Sequence, residues 1–205
     1  MKKLVAIVAF VAAMLVAGNA QAQLSVRFGY APESITTSYN NYNHTDSFNG
    51  FFVGVHNNFN LKNGLQFSLG VQGRMNMHTE KETLLGATVT TKNRQTLVDV
   101  PITLNYSIAF GQNVKITPFV GPMLTFALSG KTSVSGETNN SYNVDWYGKN
   151  PIYKRFNLAV LGGVNLKYVR LNLFGGYQMG LLNLNPEGEG KIKTGGMFFG
   201  LGYDL

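Results

Sequence analysis

The feature that most constrains this chain is a two-residue rhythm. Between residues 65 and 77, Leu65, Phe67, Leu69, Val71, Met75 and Met77 alternate with Gln66, Ser68, Gly70, Gln72, Arg74 and Asn76. Successive side chains of an extended strand point to opposite faces, so one face here is apolar and the other small and polar. Residues 98–110 repeat the rule, setting Val98, Val100, Ile102, Leu104, Tyr106, Ile108 and Phe110 against Asp99, Pro101, Thr103, Asn105 and Ser107. After residue 23 there is no sustained helical period and no run of apolar residues long enough for a spanning helix. The alternation predicts eight strands, near 24–31, 50–60, 65–77, 96–110, 114–128, 155–167, 169–180 and 193–205.

The connections alternate too. Lys62-Asn63-Gly64, Gly111-Gln112-Asn113 and the switch near Tyr168 read as tight turns, whereas 32–49, 78–95, 129–154 and 181–192 read as long polar loops. An even strand number with short turns at one end and long loops at the other predicts an all-β fold: an eight-stranded antiparallel up-and-down transmembrane β-barrel. The rival is a soluble barrel of the same strand number. Charged residues make up 13% of the chain, against about 25% in a typical soluble protein. The polar face is built from Gly, Ser, Thr, Asn and Gln, which suits a narrow lumen better than a solvated surface. Turned inward, the bulky apolar face would overfill an eight-stranded interior. Turned toward lipid it forms a belt, with Tyr30, Tyr106, Tyr168, Tyr177 and Tyr203 available as interfacial aromatics. Pro101, Pro118 and Pro122 fall inside strands and remove ladder donors. They are expected to mark bulges near strand ends, with a bend at Gly121-Pro122.

The first residues obey a different grammar. Met1-Lys2-Lys3 is followed by an uncharged stretch from Leu4 to Ala17 and then by Ala20-Gln21-Ala22. A basic start, a short apolar run and A-x-A describe a secretory signal peptide. The expected division is residues 1–22 as a cleaved signal peptide and 23–205 as the barrel domain. Lys2 and Lys3 supply part of the formal charge of +7, and the remaining cations form no nucleic-acid-binding run. The chain has no cysteine, which excludes disulfides, thiolate metal sites and a lipidated N-terminal Cys.

The last strand, Met197-Phe198-Phe199-Gly200-Leu201-Gly202-Tyr203-Asp204-Leu205, resembles the terminal signal read by the outer-membrane barrel-assembly machinery, with Gly200, Tyr203 and Leu205 carrying the match. Family signals usually end in Phe and have a polar residue where Phe198 stands. With Val100-Pro101, Pro118-Phe119-Val120-Gly121-Pro122 and Gly176-Tyr177-Gln178-Met179-Gly180-Leu181, the sequence resembles the porin-family outer-membrane β-barrel proteins of Bacteroidetes. In architecture it is similar to OmpA/OmpX-type small barrels. The resemblance implies an outer-membrane location in a Gram-negative bacterium, lipid and lipopolysaccharide as surroundings, the assembly machinery as a partner in biogenesis, and a monomer. It implies no activity.

The polar face carries Arg27, Arg74, Asp99, Lys115, Arg155, Lys167 and Asp204. Charges inside a barrel persist only with partners, so strand order predicts two pairs, Arg74 with Asp99 and Arg27 with Asp204, that plug the lumen. The alternative is a narrow cation-lined channel for small solutes or ions. A third reading is a lipid A-modifying enzyme, since His44-Thr45-Asp46-Ser47 places three catalytic residue types together. Neighbours in sequence on a loop seldom form a working triad, however. His56 is expected in the lumen and His78 at a strand end. No metal-ligand spacing or phosphate-binding loop is present, so neither catalysis nor a cofactor or metal is expected. The loops combine aromatic and amide side chains, a mix suited to contact surfaces. Tyr39, Tyr42, Trp146 and Tyr147 are the expected contacts for an extracellular ligand of unknown identity, in a protein with a structural or surface-interaction role.

Overall fold

A computed structural model describes residues 22–205, apart from 41, 85–86, 136–140 and 188. The signal-peptide expectation therefore lies outside the described residues, except for Ala22, which opens the first strand. Eleven antiparallel segments occur in chain order: β1 (Ala22–Tyr30), β2 (Glu33–Tyr39), β3 (Tyr42–Asn60), β4 (Leu65–Leu84), β5 (Ala87–Tyr106), β6 (Ile108–Phe110), β7 (Val114–Ser135), β8 (Ser141–Asp145), β9 (Phe156–Tyr168), β10 (Leu171–Gly180) and β11 (Lys191–Asp204).

These segments occupy eight positions around a closed barrel. β1 and β2 are one strand interrupted at Ala31-Pro32; both pair with β3 on one side and β11 on the other. β6 continues β5 beyond a break at Ser107, and β8 is an added strand on β7. The seam joins first to last, from Ser25 opposite Asp204 to Tyr30 opposite Phe199. Leu205 N–H donates to the Leu24 carbonyl at 2.9 Å. Closure removes the bare edges that apolar surroundings do not tolerate.

Alternation sorts the side chains as the sequence implies. Phe28, Phe51, Val53, Leu104, Tyr106, Val120, Leu173, Phe199 and Leu201 are exposed on the outside, while Ser25, His56, Ser68, Arg74, Asp99 and Asn172 are buried within. Close approach is paid for with glycine at the seam, where a Cβ on Gly200 would lie 2.3 Å from the Phe28 carbonyl and 2.8 Å from the Phe174 ring. The tight turns carry left-handed residues, Asn63 and Gly64, Gly111, and Val169.

Two expectations need correcting. The polar segments 32–49 and 78–95 are not loops, nor is all of 129–154: β2 pairs with β3 from Glu33–Phe48 to Tyr39–Tyr42, β4 with β5 as far as Leu84–Ala87, and β7 runs on to Ser135 and pairs with β8. Ile35 and Phe48 turn into an apolar core, but most other positions of these hairpins are polar on both faces, so the alternation is broken and their β-prone threonines are what mark them as strand. Nor do the prolines create bulges. Register runs unchanged past Pro101, from Leu69–Ile102 to Gln72–Asp99, and past Pro122, from Leu104–Val120 to Pro101–Met123. The ladder shifts instead between Thr96 and Leu97, opposite Ser129 and Ala127, which makes Leu128 the extra residue.

Candidate functional site

The lumen is filled in layers. At the end with tight turns lies a polar mouth of about 90 Å³, lined by amides such as Asn58, Gln66 and Asn105 and by Lys115 and Lys167. Lys167 Nζ lies 2.5 Å from Asp204 Oδ2, and Asn172 donates to Asp204 Oδ1 at 2.9 Å. Among the described residues Arg27 makes no contact ion pair with Asp204. Its guanidinium sits 5.3 Å from the Phe174 ring centroid, still within the field of Asp204, while Lys167 from β9 makes the contact pair. Lys115 is exposed at the mouth.

Phe52, Phe119, Met123, Leu161, Phe174 and Phe198 fill the middle and leave about 40 Å³, room for a few water molecules. His56 borders this space, buried and stacked over Gly70. Farther up, Arg74 Nε lies 2.9 Å from Asp99 Oδ2. Its Nη1 lies 3.3 Å from Glu33 Oε1, a partner that the sequence reading missed because Glu33 follows Pro32 in a stretch taken for loop. Arg74 is 2% exposed and Asp99 0%. Thr125 and Gln72 also donate to Asp99, at 2.7 and 3.3 Å. Asn76 donates to Glu33 and to Gln95, and Gln95 donates to the Tyr147 hydroxyl.

Above this network Ile35, Phe48, Leu97, Ala127, Trp146, Tyr147, Leu184 and Ile192 form an apolar cap. It joins two projecting sheets, β11–β2–β3 and β4–β5–β7–β8, across the barrel opening. Trp146 and Tyr147, expected as exposed contacts, are 3% and 6% exposed. The chain returns after β8 and drives both rings onto Gly130, where a Cβ would meet them at 2.7–2.8 Å. Burial pushes the Tyr147 hydroxyl up to about 12, and burial, reinforced by Asp46, also raises Tyr153.

Arg155 lies at the outer end of the lumen, bordering a small space with Glu33, Gln95 and Thr125. It stands exposed at the foot of the cap, where its Nη1 donates to the carbonyls of Ala127 and of the bulge residue Leu128, at 3.3 and 3.1 Å. Nη2 donates to the Tyr147 carbonyl at 2.8 Å. Tyr39 and Tyr42, at 49% and 67% exposure, stand free at the β2–β3 turn.

His44 Nε2 and Asp46 Oδ1 are 3.1 Å apart. Ser47 is the next residue of the same strand, opposite Ser34, and therefore points to the other face. The three residues are not brought together. At the seam Gly200 faces inward against Phe174, whereas Tyr203 and Leu205 are exposed on the outside.

Comparison with known proteins agrees with this architecture. The family model for the outer membrane protein beta-barrel domain matches residues 15–185. Among solved structures, Ail, the attachment invasion locus protein of Yersinia pestis, in complex with the heparin analogue sucrose octasulfate, aligns with a TM-score of 0.50 at 15% identity. The alignment covers 90% of this chain and 99% of Ail. Neisserial surface protein A aligns with a TM-score of 0.46 at 15% identity, over 89% of this chain and 97% of that one. No curated protein matches the chain. The chain belongs to the outer membrane protein beta-barrel domain family and is an integral barrel of the outer membrane.

Proposed function

We propose that this barrel is sealed and acts through what it presents outside the cell, with a structural or surface-interaction role and no catalysis. The observation that carries this is the stacking of barriers along one axis: the aromatic layer, the Arg74–Glu33–Asp99 network and the apolar cap. An ion crossing this path would meet an apolar layer at mid-depth and another at the exit, where it could not be solvated. The outward-reaching sheets remain as working surface. They carry the free tyrosines Tyr39, Tyr42 and Tyr142 and the outer edge of β8, which pairs only with β7 among the described strands. An unpaired strand edge is a template for an extended partner. Ail was crystallised with a polyanion, and a polyanionic ligand is one that the cationic sheet described below would also accept.

Residues 1–22 serve as a cleaved signal in this reading. Gly200, Tyr203 and Leu205 are what the assembly machinery engages, and the barrel works as a monomer. Planar-bilayer recording of the refolded 23–205 chain tests the seal. Insertion without conductance is expected, and discrete steps altered by Arg74→Gln would replace the reading with that of a channel.

A further inference from the structure

The projecting sheet β4–β5–β7–β8 has two faces, and strand alternation sorts its charges between them. Cross-strand pairing aligns the outer face in rows: Met77, Arg94, Lys131 and Asp145 nearest the barrel, then Thr79, Lys92, Ser133 and Asn143, then Lys81, Thr90 and Ser135. Glu80 and Glu82 fall on the opposite face with Asn76, which is buried over the lumen. Among the described residues the outer face thus holds four cations, hydroxyls, an amide and a single carboxylate, Asp145, whose Oδ1 already accepts from the Tyr147 N–H at 2.9 Å.

Arg94 and Lys131 stand directly opposite each other. Neighbouring strands are ~4.8 Å apart and same-face residues along a strand ~6.8 Å, so Lys92 completes a cationic triangle. Like charges directly opposed destabilise a strand pair. Among the described residues none of Lys81, Lys92, Arg94 and Lys131 has an ion-pair partner. Such a face holds its charges at lower cost when an anion lies between them.

The position identifies the anion's source. On the same face, one step toward the barrel, come Met75 and Thr96, then Val98 and the exposed Leu128 of the lipid-facing belt. The first cationic row therefore begins where the apolar belt ends, at headgroup depth. We propose that this face is a seat for the phosphate groups of a phosphorylated glycolipid of the outer leaflet. Arg94 and Lys131 grip one phosphate, Lys92 and Lys81 extend the grip outward, and Thr79, Ser133 and Asn143 meet the sugar hydroxyls. The proposal rests on the reading of the chain as a barrel inserted with these hairpins outward.

The test uses the refolded 23–205 chain in phosphatidylcholine nanodiscs, titrated with diphosphorylated lipid A and with its dephosphorylated counterpart, which keeps the same acyl chains. Circular dichroism and heat-modifiable migration report insertion separately, so a barrel that never forms is distinguished from one that does not discriminate. Preference for the phosphorylated lipid by about tenfold is expected, falling with added salt. The preference should vanish in R94Q/K131Q and persist in K115Q, at the opposite mouth. Equal affinity for both lipids overturns the proposal, as does a preference that survives R94Q/K131Q. A soluble polysulfated sugar that displaces lipid A more effectively than free lipid A does would also overturn it, in favour of a polysaccharide ligand.

Discussion

At the residue scale the decisive feature is a cation inside a barrel with two carboxylates around it. Removing Arg74 leaves Glu33 and Asp99 close together without their counter-charge, and breaking such a buried set costs about 3–5 kcal/mol. Arg74→Met should therefore lower urea stability by that order, whereas Glu33→Gln should cost clearly less because Asp99 still holds the guanidinium. Equal losses would mean that the network is not organised around Arg74. Tyr147 makes the cap sensitive to alkali. Its hydroxyl keeps its proton up to about 12 when folded and releases it near 10 when unfolded. The unfolded chain thus binds fewer protons in that window, and stability falls as pH rises from about 10 to 12. Tyr147→Phe should remove this part of the decline in pH-dependent melting. The Arg74–Asp99 contact was readable because the two residues lie on the polar face of neighbouring strands. The exchange of Arg27 for Lys167 at Asp204 was not, because the reach of a side chain across a lumen depends on barrel shear and leaves no trace in periodicity.

At the element scale, a strand can be read only where its two faces meet different surroundings. The lipid belt writes apolar residues at every second position of β3, β4, β5, β7, β9, β10 and β11, and those strands were legible. The outer halves of β4 and β5, with Thr79, Thr83, Thr88, Thr90 and Thr91, face polar surroundings on both sides and read as loop. The bulge at Leu128 is equally silent in sequence, although it decides which way the end of β7 faces. It turns Gly130 inward under Trp146 and Tyr147 and Lys131 outward opposite Arg94. Because Leu128 is the extra residue, its deletion should leave Gly130 beneath the rings and Lys131 opposite Arg94, whereas Gly130→Leu puts a side chain where the rings lie. Trp146 is the sole tryptophan, so its emission in Gly130→Leu should shift to the red and become open to iodide quenching. An unchanged spectrum would show that Gly130 does not seat it.

At the scale of the whole molecule, the parts depend on one seam. Gly200→Val forces a branched side chain onto the Phe28 carbonyl and the Phe174 ring, and overpacking of this kind costs about 1–3 kcal/mol. Less heat-resistant migration of the folded band should reveal it, while an unaltered melting point would mean that strands at the seam can move apart without cost. The seam also has a consequence in time. It pairs Ser25 with Asp204, positions separated by almost the entire chain, whereas the other neighbours are hairpins. Hairpins form early because little chain entropy is lost in closing them, and contacts of long sequence separation come late. Until β11 arrives, the growing sheet has an open border on β1 and another on its newest strand. Closure is the commitment step, and its rate should follow substitutions along Gly29 and Gly200 far more than substitutions in the cap.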